Sequence, residues 1–234
     1  DHYTNFLRTL PISVYITGNV DESEVGYAVK KLSGIKRASI KKIETCNVEK
    51  EVVEVRNITE NMPVNQSKLS LGFRTNTSPC DEDYYSLVVY NGILGGGVHS
   101  KLFQNVREKE SLAYYAFSRL EKFKGLMVIS SGILSENKDK TIRIIKEQLE
   151  DISKGNISDY EFDSTIKTIE TGMRSLMDSQ LQIVDFYLSQ SIVNTHDDFE
   201  SFIEKVKKVT KDDVVRVAGK IKLDTIYFLT GMEA

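Results

Sequence analysis

Tryptophan is absent from this chain of 234 residues, and proline, histidine and cysteine are scarce, at three, three and two. Each scarcity excludes something. Cys46 and Cys80 are too few for a disulfide framework, and neither has a nearby partner for a metal knuckle. They suit a reducing compartment, which with the missing signal peptide makes the cytoplasm the expected location. His2, His99 and His196 stand about a hundred residues apart. None belongs to H-x-x-E-H or H-E-x-x-H, the helical spacings that aim two imidazoles at one zinc, so no self-contained metal site is expected. No apolar run approaches the roughly 20 residues of a membrane helix. Charge of one sign is also missing: 31 basic and 34 acidic residues leave a net charge of −3, so no basic face for nucleic acid is implied. There is no G-x-S-x-G elbow, and neither cysteine has a context that would activate it.

What is present is ordinary globular composition, 40% hydrophobic and 28% charged, in a chain long enough to bury a core. The sequence begins with Asp1 rather than methionine and soon becomes strand-like, which suggests a piece of a longer protein. Ile12 to Ile16 reads as a strand ended by Gly18-Asn19. Asp21 with Glu24 forms a capping box for a helix to about Leu32, stopped by Gly34. Residues 36–50 read as a surface connection and Glu51 to Ile58 as a strand. Leu69, Leu71 and Phe73 alternate with Ser70, Gly72 and Arg74, the period of a half-buried strand over Lys68 to Thr75. After the loop at Asn76 to Pro79, Tyr84 to Leu94 is a helix with apolar residues on most sides, stopped by Gly95-Gly96-Gly97. His99 to Lys109 is a second helix. Leu112 to Glu121 and Gly125 to Leu134 form two adjacent strands turned at Lys122 to Lys124.

From Lys138 onward the period is helical. Ile142, Ile145, Leu149 and Ile152 mark one helix, and Phe162, Ile166, Ile169, Met173 and Leu176 another, capped by Ser158 and Glu161. Further helical pieces cover Leu181 to Gln190, Phe199 to Val206 and Thr210 to Lys220, and Thr225 to Thr230 closes the chain as a strand. The mixture lacks strict βαβ alternation. It predicts an α+β fold, a largely antiparallel sheet with helices packed on it, in a single domain over 1–234.

Two stretches invite chemistry. Gly95 to Gly97 before a helix resembles a phosphate cradle, but the lysine and hydroxyl of a P-loop are missing and the spacing is not GxGxxG. A turn that lets a helix pack or a strand approach explains it better. His99 reads as a polar residue at a helix start. The other stretch is the helix exit, where Arg107 and, seven residues on, Tyr114 supply a charged fork of donors and a neutral phenol donor. Converging on one point, they would bind a peptide carbonyl and stabilise the oxyanion formed when it is attacked. The bland alternative is an arginine meeting the helix dipole and neighbouring Glu108 and Glu110, and a tyrosine on a strand rim.

The run LGGGVHSKLFQNVREKESLAYYAFS resembles the signature of the C-terminal half of insulinase/pitrilysin-family metallopeptidases, the inverzincins. Their glycine-rich turn, arginine-ended helix and L-[GA]-Y step match Arg107 through Leu112-Ala113-Tyr114. The strand from Ile12 to Gly18, followed by Asn-Val-Asp, is also similar. The resemblance implies a metallopeptidase-type α+β fold and the substrate-binding, non-zinc domain of a zinc-dependent endopeptidase. Arg107 would orient substrate and Tyr114 would donate to the oxyanion. Zinc is implied in the full enzyme but outside this segment, on an H-x-x-E-H domain of the same polypeptide or of a partner subunit. This domain alone should not cleave peptides, and the full-length form is expected to be dimeric. Non-catalytic assembly subunits share the fold and are the alternative, and a phosphate or nucleotide binder is a third.

Overall fold

Leu71 shows how the sheet is built. It pairs across the ladder with Ile129 on one side and Ile226 on the other, and none of the three exceeds 7% exposure. The period-2 alternation of its strand sends Leu69, Leu71 and Phe73 to one face, where Met127, Ile129, Ile226 and Phe228 meet them. Fully burying one such side chain stabilises by about 1.5–3 kcal/mol, so this face fixes the strand register.

The computed structural model describes residues 1–42 and 48–231. Their strands are β1 (Arg56–Asn61), β2 (Ser67–Arg74), β3 (Ala113–Glu121), β4 (Leu126–Ile133) and β5 (Lys222–Thr230). The α-helices are α1 (His2–Thr9), α2 (Glu22–Ser33), α3 (Tyr84–Gly95), α4 (Lys138–Ser153), α5 (Asp159–Leu176), α6 (Gln180–Val193), α7 (Phe199–Lys207) and α8 (Lys211–Ala218). The sheet order is β1-β5-β2-β4-β3. Only β1–β5 is parallel; β2–β4, β2–β5 and β3–β4 are antiparallel, as an α+β fold with a largely antiparallel sheet requires.

The chain divides into two compact units, residues 1–46 with 175–196, and residues 47–174 with 197–234. The second holds the sheet. Its α3 runs against β3 and touches α4, α7 and α8. Tyr84, Leu87, Val89, Tyr90, Ile93 and Leu94 are all buried, which suits a helix apolar on most sides. At one end of the sheet Asp224 accepts from Thr225 at 2.5 Å, from Arg74 at 2.8 Å and from Arg56 at 3.0 Å, tying β1, β2 and β5. The Thr225 hydroxyl first, then the two guanidiniums, hold its carboxyl down at about 2. The Thr210–Asp213 box and the Ser158–Glu161 bonds cap α8 and α5.

The first unit carries the expected Asp21–Glu24 capping box, with bonds of 2.9 and 3.0 Å. The Arg37 guanidinium donates to Leu7 O of α1 at 2.8 Å. None of its described residues is buried.

Four expectations change. Ile12 to Ile16 is not a strand: no other described segment pairs with it, and Ile12, Val14 and Ile16 stand 41–50% exposed. A β-branched alternation makes a strand only where a partner supplies hydrogen bonds. The strand expected over Glu51 to Ile58 starts at Arg56 instead, where β5 becomes available. Residues 2–9, ahead of the first element expected from the sequence, are helical. The helix over 99–109 is mostly a π-helix, Phe103–Lys109. Part of the connection over 36–50, Cys46 included, lies outside the described residues. None of the helices among the described residues is long and apolar enough to cross a membrane.

Candidate functional site

The glycine run serves packing. A Cβ on Gly95 would sit 2.3 Å from the Ser118 backbone nitrogen, and one on Gly96 would sit 2.6 Å from the Gly92 Cα. Glycine therefore lets the end of α3 lie directly against β3, where the Ser118 hydroxyl donates to Asn91 O at 3.1 Å. The lysine that a phosphate site would need is otherwise engaged. Lys101 is 6% exposed and pairs with Glu161 at 3.0 Å. His99 is 5% exposed, with Nε2 2.9 Å from the Thr165 hydroxyl, and burial lowers its pKa against the opposing pull of Glu161.

Beyond Lys101 and Leu102 the chain enters the π-helix, a geometry that inserts an extra residue per turn and is concentrated at functional sites. Val106 is its one buried residue, at 0% exposure. Asn105 ties it to α4 by donating to Gln148 Oε1 at 2.7 Å. With Val106 inward, Arg107, Glu108 and Lys109 are turned outward. The exit is closed by Leu112 N–H donating to Val106 O at 3.0 Å, across a left-handed Ser111 with φ 52°. Lys140 pairs with Glu110 at 2.9 Å and holds its carboxyl below the usual range, first through their hydrogen bond.

The next irregularity follows at once. Along β3, Ala113 stands opposite Ile133 but Tyr115 stands opposite Gly132, so the register shifts between them. Tyr114 is the extra residue of a β-bulge. Its side chain is 78% exposed, re-aimed away from the ladder as bulges do beside binding sites. Gly132 is needed here: a Cβ on it would lie 2.6 Å from Tyr115 Cε1 and 3.0 Å from Gln66 Cδ.

The two sequence-predicted residues face one groove of about 400 Å³. Arg107, Glu108, Ser111, Leu112, Ala113 and Tyr114 line one wall, and Gln66, Gly132, Ile133, Leu134 and Asn137 complete it. The Arg107 guanidinium lies 4.7 Å from the centroid of the Phe103 ring, and its Nε is 3.5 Å from Glu108. That exposed ion pair is long and contributes little to stability. The groove thus offers a permanent cation, a phenol donor, two amide side chains and the exposed apolar Leu134. Such a set has the chemistry to bind a polar backbone group beside an apolar neighbour.

Gln66, Gly132, Leu134 and Asn137 were not singled out from the sequence. The hairpin pattern contained the signal for Gly132, because pairing the two strands sets it opposite Tyr115. Gln66 carried no local signal; it arrives through the long-range pairing of β2 with β4.

Among the described residues, no group of three or more His, Cys, Asp or Glu side chains is placed to hold a metal ion. The groove's lining offers a single carboxylate, Glu108, beside a guanidinium, amides, a hydroxyl and a phenol, so it does not fit a zinc site.

The family model of the peptidase M16 inactive domain matches residues 1–169. Over 231 residues the chain is 36% identical to the probable inactive metalloprotease YmfF of Bacillus subtilis, covering 99% of this chain and 54% of that protein. It is 30% identical over 156 residues to the uncharacterized zinc protease Rv2782c of Mycobacterium tuberculosis, covering 65% of this chain and 35% of that one. Among solved structures, a conserved protein from Enterococcus faecalis superposes with a TM-score of 0.82 at 34% identity, over 92% of this chain and 50% of that one. The chain spans about half the length of YmfF and of the Enterococcus protein.

Proposed function

The chain belongs to the family of peptidase M16 inactive domains, and from that premise we propose that it is the substrate-binding, non-zinc half of a zinc-dependent endopeptidase. Its substrates are peptides or unfolded segments. One observation carries the reading: two local breaks in regular backbone, a π-helix and a β-bulge, bring Arg107 and Tyr114 to the same groove. In this reading the Arg107 fork binds and orients a backbone carbonyl or carboxylate of the peptide. The Tyr114 hydroxyl donates to the oxygen that gains charge when the scissile carbonyl is attacked. Both side chains project from anchored backbone, so the ordering cost on binding is confined to the side chains.

Among the described residues none are grouped to hold zinc, and in this reading the metal sits on another domain of the same polypeptide or on a partner subunit. The domain by itself is inactive. The test is Arg107→Ala in the parent protein assembled with its zinc-bearing part. Turnover should fall at least tenfold, with KM raised and the unfolding midpoint unchanged. Wild-type turnover would remove the assignment.

A second reading has its own support, because YmfF is described as a probable inactive metalloprotease. Under it the parent chain is an assembly subunit of the same fold. Metal analysis of the parent protein purified alone separates the cases. About one zinc per chain places both halves in one polypeptide; none leaves a chain that donates Arg107 and Tyr114 to a partner, or a scaffold. Arg107→Ala in the assembled complex then divides those two.

A further inference from the structure

The groove's cation is a long side chain on a helix surface, and such an arginine ordinarily samples many rotamers. Here two neighbours restrict it. Phe103, four residues earlier on the π-helix, is half-buried and presents its ring 4.7 Å from the guanidinium carbon. Residues four apart are neighbours on a helix surface, and a guanidinium over an aromatic face is attracted by the ring's negative quadrupole. Glu108 occupies the guanidinium from the Nε side at 3.5 Å. The ion pair runs through Nε, and no hydrogen bond engages the terminal nitrogens among the described residues.

We infer that Phe103 is the positioning residue of the groove. Its ring is a platform that holds Arg107 with its terminal nitrogens turned to the bound peptide. Phe103 is not among the residues lining the groove, so it acts through Arg107 and not by touching substrate. Its own half-buried position steadies the ring, and the buried Val106 between the two residues holds the backbone they share. A platform of this kind is aromatic for its face and not for its bulk. Leucine in its place would fill the space and lose the attraction, while tryptophan would keep it. This inference rests on Arg107 being the substrate-orienting group.

The experiment uses the parent protein assembled with its zinc-bearing domain or subunit, and hydrolysis of an internally quenched fluorogenic peptide library as the readout. Phe103→Leu should lower kcat/KM about three- to tenfold, mainly by raising KM, with an unchanged unfolding midpoint. Phe103→Trp should retain the wild-type value. In an Arg107→Ala background Phe103→Leu should have no further effect, since the group it positions is gone. An equal loss in both backgrounds would make Phe103 merely structural and overturn the inference. Wild-type kcat/KM for Phe103→Leu, beside a tenfold loss for Arg107→Ala, would overturn it too and leave the role of Arg107 standing. If Arg107→Ala itself had no effect, the functional reading would fail and the positioning role with it.

Discussion

The middle of the sheet and the corner at the groove are built on opposite rules. In the middle, β2, β4 and β5 pair in near-continuous register, and Leu69, Leu71, Met127 and Ile129 are 0% exposed. At the corner a π-helix runs into a left-handed serine and then a bulge, and Arg107 and Tyr114 are turned outward. Regular ladders satisfy every backbone group and leave nothing to spare for a ligand. Irregular backbone costs stability and gains freedom of aim, so it persists where the surroundings hold it in place. Here the well-packed sheet supports the irregular corner.

Substitutions can break that contrast in graded steps. Ile129→Ala at the centre should cost the most, about 2–5 kcal/mol, read as a lowered urea midpoint; a loss near zero would mean that the sheet's middle is not the core. Gly95→Ala should cost about 1–3 kcal/mol, because its new methyl meets the Ser118 backbone nitrogen at 2.3 Å and a backbone atom cannot step aside. Lowering pH acts on the other end of the sheet. Asp224 is held at about 2 against an ordinary 3.8, so its contribution is full above about pH 4 and disappears as pH falls from there toward 2. Asp224→Asn should therefore remove part of the loss in urea midpoint between about pH 5 and about pH 3; an undiminished loss would place the acid sensitivity elsewhere. Smallest of all should be Val14→Ser in this 234-residue chain, within about 0.5 kcal/mol, because Val14 is 50% exposed. A loss matching that of Ile129→Ala would put residues 12–16 in a core after all.

What could be read in advance follows the same division. Strict alternation over 68–75 and the apolar stripe of α4 are consequences of burial within the chain, and β2 and α4 formed where those patterns stand; α5 formed on its stripe as well, although its apolar residues are only half-buried. The Ile12 to Ile16 alternation looked equally regular, yet pairing is a long-range event and no described strand meets it. The β3–β4 turn was harder to see because it lacks an Asn-Gly pair. A short 3₁₀ turn and Gly125, left-handed at φ 58°, make it instead. At the corner the residue types were legible and the backbone was not. Nothing in FQNVREK marks a π-helix over an ordinary one. The bulge at Tyr114 depends on how Ala113 and Tyr115 settle against Ile133 and Gly132. Arg107 and Tyr114 were nameable by their donors; Gln66 and Asn137 needed the fold to bring them near.

The central claim is that the corner is shaped for catalysis and not for stability, and Tyr114→Phe tests it most directly. The variant removes one oxygen from an exposed ring and leaves the bulge intact. Measured on one preparation of the assembled protein, kcat should fall at least tenfold, with KM and the urea midpoint close to wild type. An unchanged kcat, or a fall in kcat that merely follows a fall in the midpoint, would contradict the account.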